Sequence, residues 1–216
     1  MRIIGGEWRG RKIEEPRGRD VTRPTTDRVR EACASMVMSA FDFDLDEVRV
    51  LDAFGGSGAL GIEMLSRGAR SLTTFEIDRN AARLITKNIE SLCRDRARWH
   101  VVTGDILASA SRGRVPGGPF DLVLLDPPYA FGAKPVDELL QNLAQQGLLT
   151  PGAYALFEHA AADAGAHPAG FVTVREKRYG ITSVGLLRWV GEGEDDDTAT
   201  DADGSDGTKF QEDAHE

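Results

Sequence analysis

The stretch Asp52-Ala53-Phe54-Gly55-Gly56-Ser57-Gly58 constrains this 216-residue chain more than any other. It follows the apolar run Val48-Arg49-Val50-Leu51 and precedes a segment, 59–67, with helical patterning. Glycines let a backbone turn tightly and approach a ligand without Cβ clashes. The helix that follows offers unsatisfied N–H donors at its first turn. Strand, glycine-rich turn and helix in that order open a parallel α/β sheet, and such sheets bind ligands at the carboxyl ends of their strands.

The rest of the chain repeats this alternation. Val29, Ala32, Cys33, Met36, Val37 and Ala40 fall on one helical face, with Thr26 or Asp27 as N-cap. Cys33 on that face reads as a packed core thiol. Strands are expected at 48–54, 72–76, 99–103, 120–125 and 153–158. Helices are expected at 59–67 and 79–92, and around Val136, Leu139, Leu140 and Leu143. Near-continuous apolar strands imply a sheet covered on both faces. Residues 171–177 and 182–190 flank a short turn at Tyr179-Gly180 and read as an antiparallel hairpin. The expected fold is therefore α/β, with a mostly parallel seven-stranded sheet, a C-terminal hairpin and a small N-terminal β-arm.

Charge divides the chain into three parts. Residues 191–216 hold eleven acidic side chains and one basic, Lys209, a charge of −10 within a whole-chain −9. The first thirty residues carry nine Arg or Lys and five Asp or Glu. The expected layout is a basic arm over 1–25, a catalytic domain over 26–190, and an acidic tail over 191–216 too polar to order. A basic arm suits a phosphate backbone, although it also serves solubility. No apolar run approaches the roughly 18 residues that span a bilayer. The first residues lack a secretory h-region, and two cysteines fit a reducing compartment. A cytoplasmic monomer without metal or membrane partners is expected.

Glu76 ends the second strand, where a carboxylate can accept both hydroxyls of a ribose. Gly56, Gly58 and Gly61 complete a dinucleotide pattern, so spacing alone leaves a pyrophosphate cofactor open. Asp52 argues against that, because a carboxylate there repels a pyrophosphate and tolerates the cationic amino acid end of S-adenosylmethionine. Phe54, Gly56, Ser57, Gly58 and Ile77 complete the candidate cofactor site. Asp105 is a candidate acceptor for an adenine amine, and Ile106 a candidate wall for the ring.

Asp126-Pro127-Pro128-Tyr129 closes the fourth strand. Two prolines fix φ and remove two donors, so the carbonyls there point in set directions. Asp126 and the Pro127 carbonyl can accept the two protons of an exocyclic amine while the Tyr129 ring stacks on the base. Those bonds draw the nitrogen lone pair out of conjugation and aim it at a methyl donor, with orientation supplying much of the rate.

These motifs together resemble the RsmD-type ribosomal RNA guanine-N2 methyltransferases, a family with the class I Rossmann-like fold. The resemblance covers about residues 1 to 190. It rests on Arg2-Ile3-Ile4-Gly5-Gly6 with Trp8-Arg9-Gly10-Arg11, on Arg23-Pro24-Thr25 with Asp27-Arg28-Val29-Arg30-Glu31, and on Gly56-Ser57-Gly58-Ala59-Leu60-Gly61. Asp126-Pro127-Pro128-Tyr129 and Lys177-Arg178-Tyr179-Gly180 complete it. Gly55 stands where the family usually has Ala. The resemblance implies S-adenosylmethionine as cofactor and one guanine of 16S rRNA as target, free or in the 30S subunit or an assembly intermediate. It implies an arm that helps hold the RNA, with Arg2, Trp8, Arg9, Arg11, Lys12, Arg23 and Arg28 as candidates. Trp8 could equally pack on the sheet edge. The competing readings are an amino-methyltransferase of DNA or another RNA, and a non-catalytic RNA-binding assembly factor.

Overall fold

The computed structural model describes residues 1–16 and 27–191, with Tyr129 described by its backbone alone. The expectations for Arg23, for Thr26 as a cap and for the tail beyond Gly191 fall outside the described residues.

In chain order the elements are α1 (Asp27–Ala40), β1 (Arg49–Asp52), α2 (Ala59–Ser66), β2 (Ser71–Glu76), α3 (Arg79–Leu92), β3 (Trp99–Thr103), α4 (Ile106–Ala110), β4 (Phe120–Leu125), α5 (Lys134–Gln145), β5 (Leu149–Ala160), β6 (Phe171–Tyr179) and β7 (Thr182–Trp189). The seven strands form one sheet in the order β3-β2-β1-β4-β5-β7-β6. The first five run parallel, and β7 is antiparallel to both β5 and β6. This is the class I methyltransferase arrangement.

Successive strand residues feed two separate cores, because side chains alternate across a sheet. Val50, Leu122, Leu124 and Leu156 pack with α1, α2 and α3 through Cys33, Ile62 and Ile85. Leu51, Val123, Leu125 and Phe157 pack on the other face with α4 and α5 through Ile106, Leu139 and Leu143. Both faces being covered is what makes β1 and β4 read as unbroken apolar runs.

Residues 1–16 are packed onto the body rather than set apart from it. They contribute a single antiparallel bridge, Arg2 to Lys12. Ile3, Trp8 and Ile13 are buried in the α1–α3 core. Their anchor is Glu63 of α2, which is 0% exposed and accepts the N–H groups of Ile4 at 2.9 Å and Gly5 at 2.7 Å. Ser66 Oγ accepts the Trp8 N–H at 2.9 Å and donates to the Gly5 carbonyl at 2.7 Å.

The helix α4 has no counterpart in the sequence reading. Its five residues are too few to show a helical period. β5 also starts at Leu149, four residues earlier than expected, with a register irregularity against β4 between Phe120 and Leu122.

Candidate active site

β1 and β4 are neighbours in register, Asp52 opposite Leu124, so the glycine-rich loop and the Asp126 turn leave the sheet side by side at its carboxyl edge. Gly58 stands at φ +77° as the N-cap of α2, and Gly56 at φ +56°. Both backbones are in the left-handed region that disfavours any side chain. The Gly55 N–H reaches the Phe75 carbonyl at 2.8 Å. A Cβ on Gly55 would sit 2.5 Å from Thr74 Cγ2 and 2.8 Å from Ile85 Cδ1, so the space an Ala would need is already filled here.

Glu76 is buried, and both its oxygens face backbone donors. Oε2 accepts the Gly56 N–H and Oε1 the Asp78 N–H, each at 2.8 Å. Carboxylate oxygens have two lone pairs each, so these bonds leave acceptor capacity on the same group. Asp52 is 4% exposed, directly under the loop. Burial, followed by the charges of Asp126 and Glu76, pushes its carboxyl up to about 7, against the opposing N–H groups of Phe54 and Gly61. Ile77, just past Glu76, is 71% exposed, an unusual place for a large apolar side chain and a ready wall for a flat ring.

The third candidate contact divides. Asp105 is exposed and caps α4, its Oδ1 accepting the N–H groups of Leu107 and Ala108. Ile106 is 3% exposed and packs into the α4–α5 core, so its side chain is a floor beneath the site rather than an open wall.

Asp126 is exposed at the end of β4, Pro127 is buried and Pro128 exposed. The Pro128 carbonyl is taken by the Phe131 N–H at 2.8 Å, which makes the Pro127 carbonyl the backbone acceptor to consider. Tyr129 opens a 3-10 turn, Tyr129–Phe131, and its ring lies outside the described part of the structure. Phe131 meets Phe54 edge to face at 5.3 Å, so an aromatic pair joins the glycine-rich loop to the turn after Asp126. Cys33 is 0% exposed, and burial, then the charges of Glu158 and Asp126, push its thiol far up, keeping it protonated.

The candidate RNA residues are divided between the two ends of the sheet: Arg2 follows Met1, whose sulfur lies 3.8 Å from Ser57 Oγ of the glycine-rich loop. Trp8 is 5% exposed inside the α1–α3 core, so packing, not base stacking, is its role. The reason is that the chain turns around it to bond Ser66, and a ring that size stabilises most when buried. Arg2, Arg9, Arg11, Lys12 and Arg28 are exposed. Arg11 donates to the Ser91 carbonyl at 3.3 Å, in the last turn of α3. Since α2 and α3 both start at the cofactor edge, Arg9 and Arg11 lie at the opposite end of the sheet, about 20 Å away by helix length.

Glu158, Glu63 and Phe131 went unnoticed in the sequence. Glu158 carried a usable signal, since it ends an apolar strand as Glu76 and Asp126 do. Glu63 also carried one, as the lone charge in the apolar helix Ala59–Ser66. Phe131 had none, because its partner is distant in sequence.

The family described as "Conserved hypothetical protein 95" matches residues 1–188. The chain is 34% identical over 197 residues to the ribosomal RNA small subunit methyltransferase D of Escherichia coli, covering 91% of this chain and 93% of that protein. It is 32% identical over 188 residues to the protein of the same name from Haemophilus influenzae, at 87% and 93% coverage. A solved Haemophilus influenzae structure aligns with a TM-score of 0.71 at 30% identity, over 88% of this chain and 98% of the other. A solved Escherichia coli structure gives 0.71 at 32% identity, over 88% and 98%. The chain therefore belongs to this family of ribosomal RNA small subunit methyltransferase D proteins.

Proposed function

We propose that this protein transfers a methyl group from S-adenosylmethionine to the exocyclic N2 amine of a guanine in 16S rRNA. The observation that carries the reading is the pairing of two motifs at one sheet edge. Asp52 and the glycine-rich loop end β1 while Asp126-Pro127-Pro128-Tyr129 ends the adjacent β4. The named relatives are ribosomal RNA methyltransferases, which favours RNA over DNA or a non-catalytic role.

The residues present suit the cofactor. Gly56 and Gly58 let the backbone pass close to it, and Glu76 has acceptor capacity for ribose hydroxyls. Ile77 is placed to cover the adenine. Asp52, Glu76 and Asp126 give this edge a negative character that favours the cationic amino acid end over a pyrophosphate. When bound, S-adenosylmethionine supplies an electrophilic methyl on a sulfonium. The chain's own part is to hold and polarise the amine. Asp126 accepts one N–H of the guanine N2, and the Pro127 carbonyl accepts the other. Both bonds localise the lone pair on nitrogen, which a neutral aromatic amine otherwise shares with its ring. The amine's proton becomes acidic once the methyl has moved and leaves to water, so no strong base is required. Protein atoms set in advance around the developing charge reduce the reorganisation cost.

The test is transfer of tritium from labelled S-adenosylmethionine to small-subunit RNA, naked and in 30S particles, followed by nucleoside analysis. N2-methylguanosine is the expected product. Label in N6-methyladenosine, in DNA or in protein would replace the reading.

A further inference from the structure

Beside the proposed amine-holding turn lies a shallow surface depression lined by Pro127, Pro128, Phe157, Glu158, His159 and Asp163 among others. Leu125 pairs with Phe157 in the β4–β5 ladder, so Asp126, the first residue past β4, and Glu158 of β5 each come next after a paired residue. Alternation along β5 sets Glu158 on the face away from Phe157, and the charges of Glu158 and Asp126 both act on the Cys33 thiol of α1. Glu158 is 6% exposed. The His159 ring stacks on Phe157, with centroids 4.9 Å apart, and its Nδ1 lies 3.0 Å from the Ala160 carbonyl, so the end of β5 behind Glu158 is fixed.

We propose that the neighbouring carboxylates Asp126 and Glu158 form a subsite for the Watson–Crick edge of guanine, with Glu158 accepting the N1–H of the base whose N2 amine Asp126 holds. It rests on the guanine-N2 reading above. Guanine carries two donors next to each other, N2–H and N1–H. Two neighbouring carboxylates match that pair. Adenine carries a donor next to an acceptor, so the second carboxylate would face a lone pair and lose its hydrogen bond. Bases that are flipped or unstacked are read at this edge. A site built to bond a polar group rejects an analogue lacking it strongly, because the buried partner is left unpaired. Glu158 thereby selects the base, while Asp126 prepares the amine.

The test uses the wild-type protein and two variants on a matched pair of RNAs. The methylated guanine is first mapped by nuclease digestion and mass spectrometry of the wild-type product. A second RNA then carries 2-aminopurine at that nucleotide, which keeps the N2 amine and lacks the N1–H. The wild type should methylate the 2-aminopurine RNA about tenfold more slowly or worse. E158L, which removes the acceptor at similar volume, should lose a comparable factor on the guanine RNA and almost nothing further on the 2-aminopurine RNA. E158Q, with a neutral acceptor, should fall between wild type and E158L on guanine. Such non-additivity identifies a direct contact, which a purely structural role for Glu158 would not produce. Equal wild-type rates on the two RNAs would overturn the subsite without reference to any variant, as would an equal loss by E158L on both. A wild-type product other than N2-methylguanosine would fail the underlying reading instead, a result visible at the mapping step.

Discussion

Glu76 Oε2 accepts the backbone N–H of Gly56 at 2.8 Å, tying the end of β2 to the loop that follows β1. The same carboxylate holds Asp78 N–H through its other oxygen. One side chain thus shapes the loop and, in the proposed reading, faces the ribose. Glu76→Ala should weaken S-adenosylmethionine by tenfold or more, since hydrogen bonds to a charged group contribute about 1.5–3 kcal/mol each. It should also lower the melting temperature, because two backbone donors lose their partner. Calorimetry and thermal melts check both, and wild-type affinity in Glu76→Ala would remove the carboxylate from the cofactor site.

Asp52 should make cofactor binding sensitive to pH. Its carboxyl stands at about 7 in the folded protein, chiefly through burial, against about 3.9 for an unperturbed Asp. Between those values the folded state binds more protons than the unfolded one. The stability from this group is therefore present below pH 4 and is lost as pH rises through 7. A cation beside Asp52 favours the ionised form, so binding at pH 6 should release a proton. Affinity should rise with pH through about 7 and then level. Calorimetry in buffers of different ionisation heat counts the protons, and Asp52→Asn should remove the effect. PH-independent affinity in the wild type would contradict the contact.

Gly55 should resist the Ala usual in the family. Thr74 Cγ2 and Ile85 Cδ1 occupy the site of its Cβ. Overpacking of a filled core commonly costs about 1–3 kcal/mol. Gly55→Ala alone should destabilise by that order in denaturant melts, and pairing it with Ile85→Val should recover part of the loss. Wild-type stability in the single variant would show that Thr74 and Ile85 yield freely.

Basic residues at the two ends of the sheet should differ in effect. Lys177 and Arg178 are exposed near the hairpin turn, where Thr182 pairs with Ala160 at the catalytic edge. Arg9 and Arg11 lie toward the far ends of α2 and α3, and Lys12 pairs with Arg2. Alanine at Arg9, Arg11 and Lys12 together should spare cofactor affinity and flatten the salt dependence of RNA binding by up to about 0.7 per lost phosphate contact. Lys177→Ala with Arg178→Ala should raise the KM for RNA and leave turnover at saturating RNA near wild type. Filter binding over a salt series, with initial rates, distinguishes them. An unchanged slope for the arm variant would remove the arm from the RNA surface.

Asp126→Ala should reduce turnover by on the order of a hundredfold, by analogy with removal of one preorganised polar group. Cofactor affinity should stay within a few-fold of wild type. Because the Asp126 charge helps raise Asp52, the variant should also shift the pH midpoint of cofactor binding below 7. Single-turnover rates and a binding series across pH read the two effects separately. Full activity in Asp126→Ala would overturn the proposed chemistry.

The sequence by itself determined the order and type of most elements, and where the glycine-rich loop and the Asp126 turn leave the sheet. α3 at Arg79–Leu92, β3 at Trp99–Thr103 and β4 at Phe120–Leu125 match their expected bounds, because periodicity and N-caps are local properties. Gly56, Gly58, Glu76 and Asp126 were legible for a related reason. Glycine at positive φ and a carboxylate ending an apolar strand are exceptions that a chain keeps for a purpose. The tertiary structure alone decided what lies across from what. Trp8 is core because Ser66 and Glu63, nearly 60 residues on, hold its segment against α2. Arg9 and Arg11 lie away from the glycine-rich loop because the first residues run along α2, from Met1 beside Ser57 to Trp8 beside Ser66. Glu158 stands beside Asp126 only because β5 pairs with β4, 32 residues later, and pairing between strands depends on burial and register that no single segment contains.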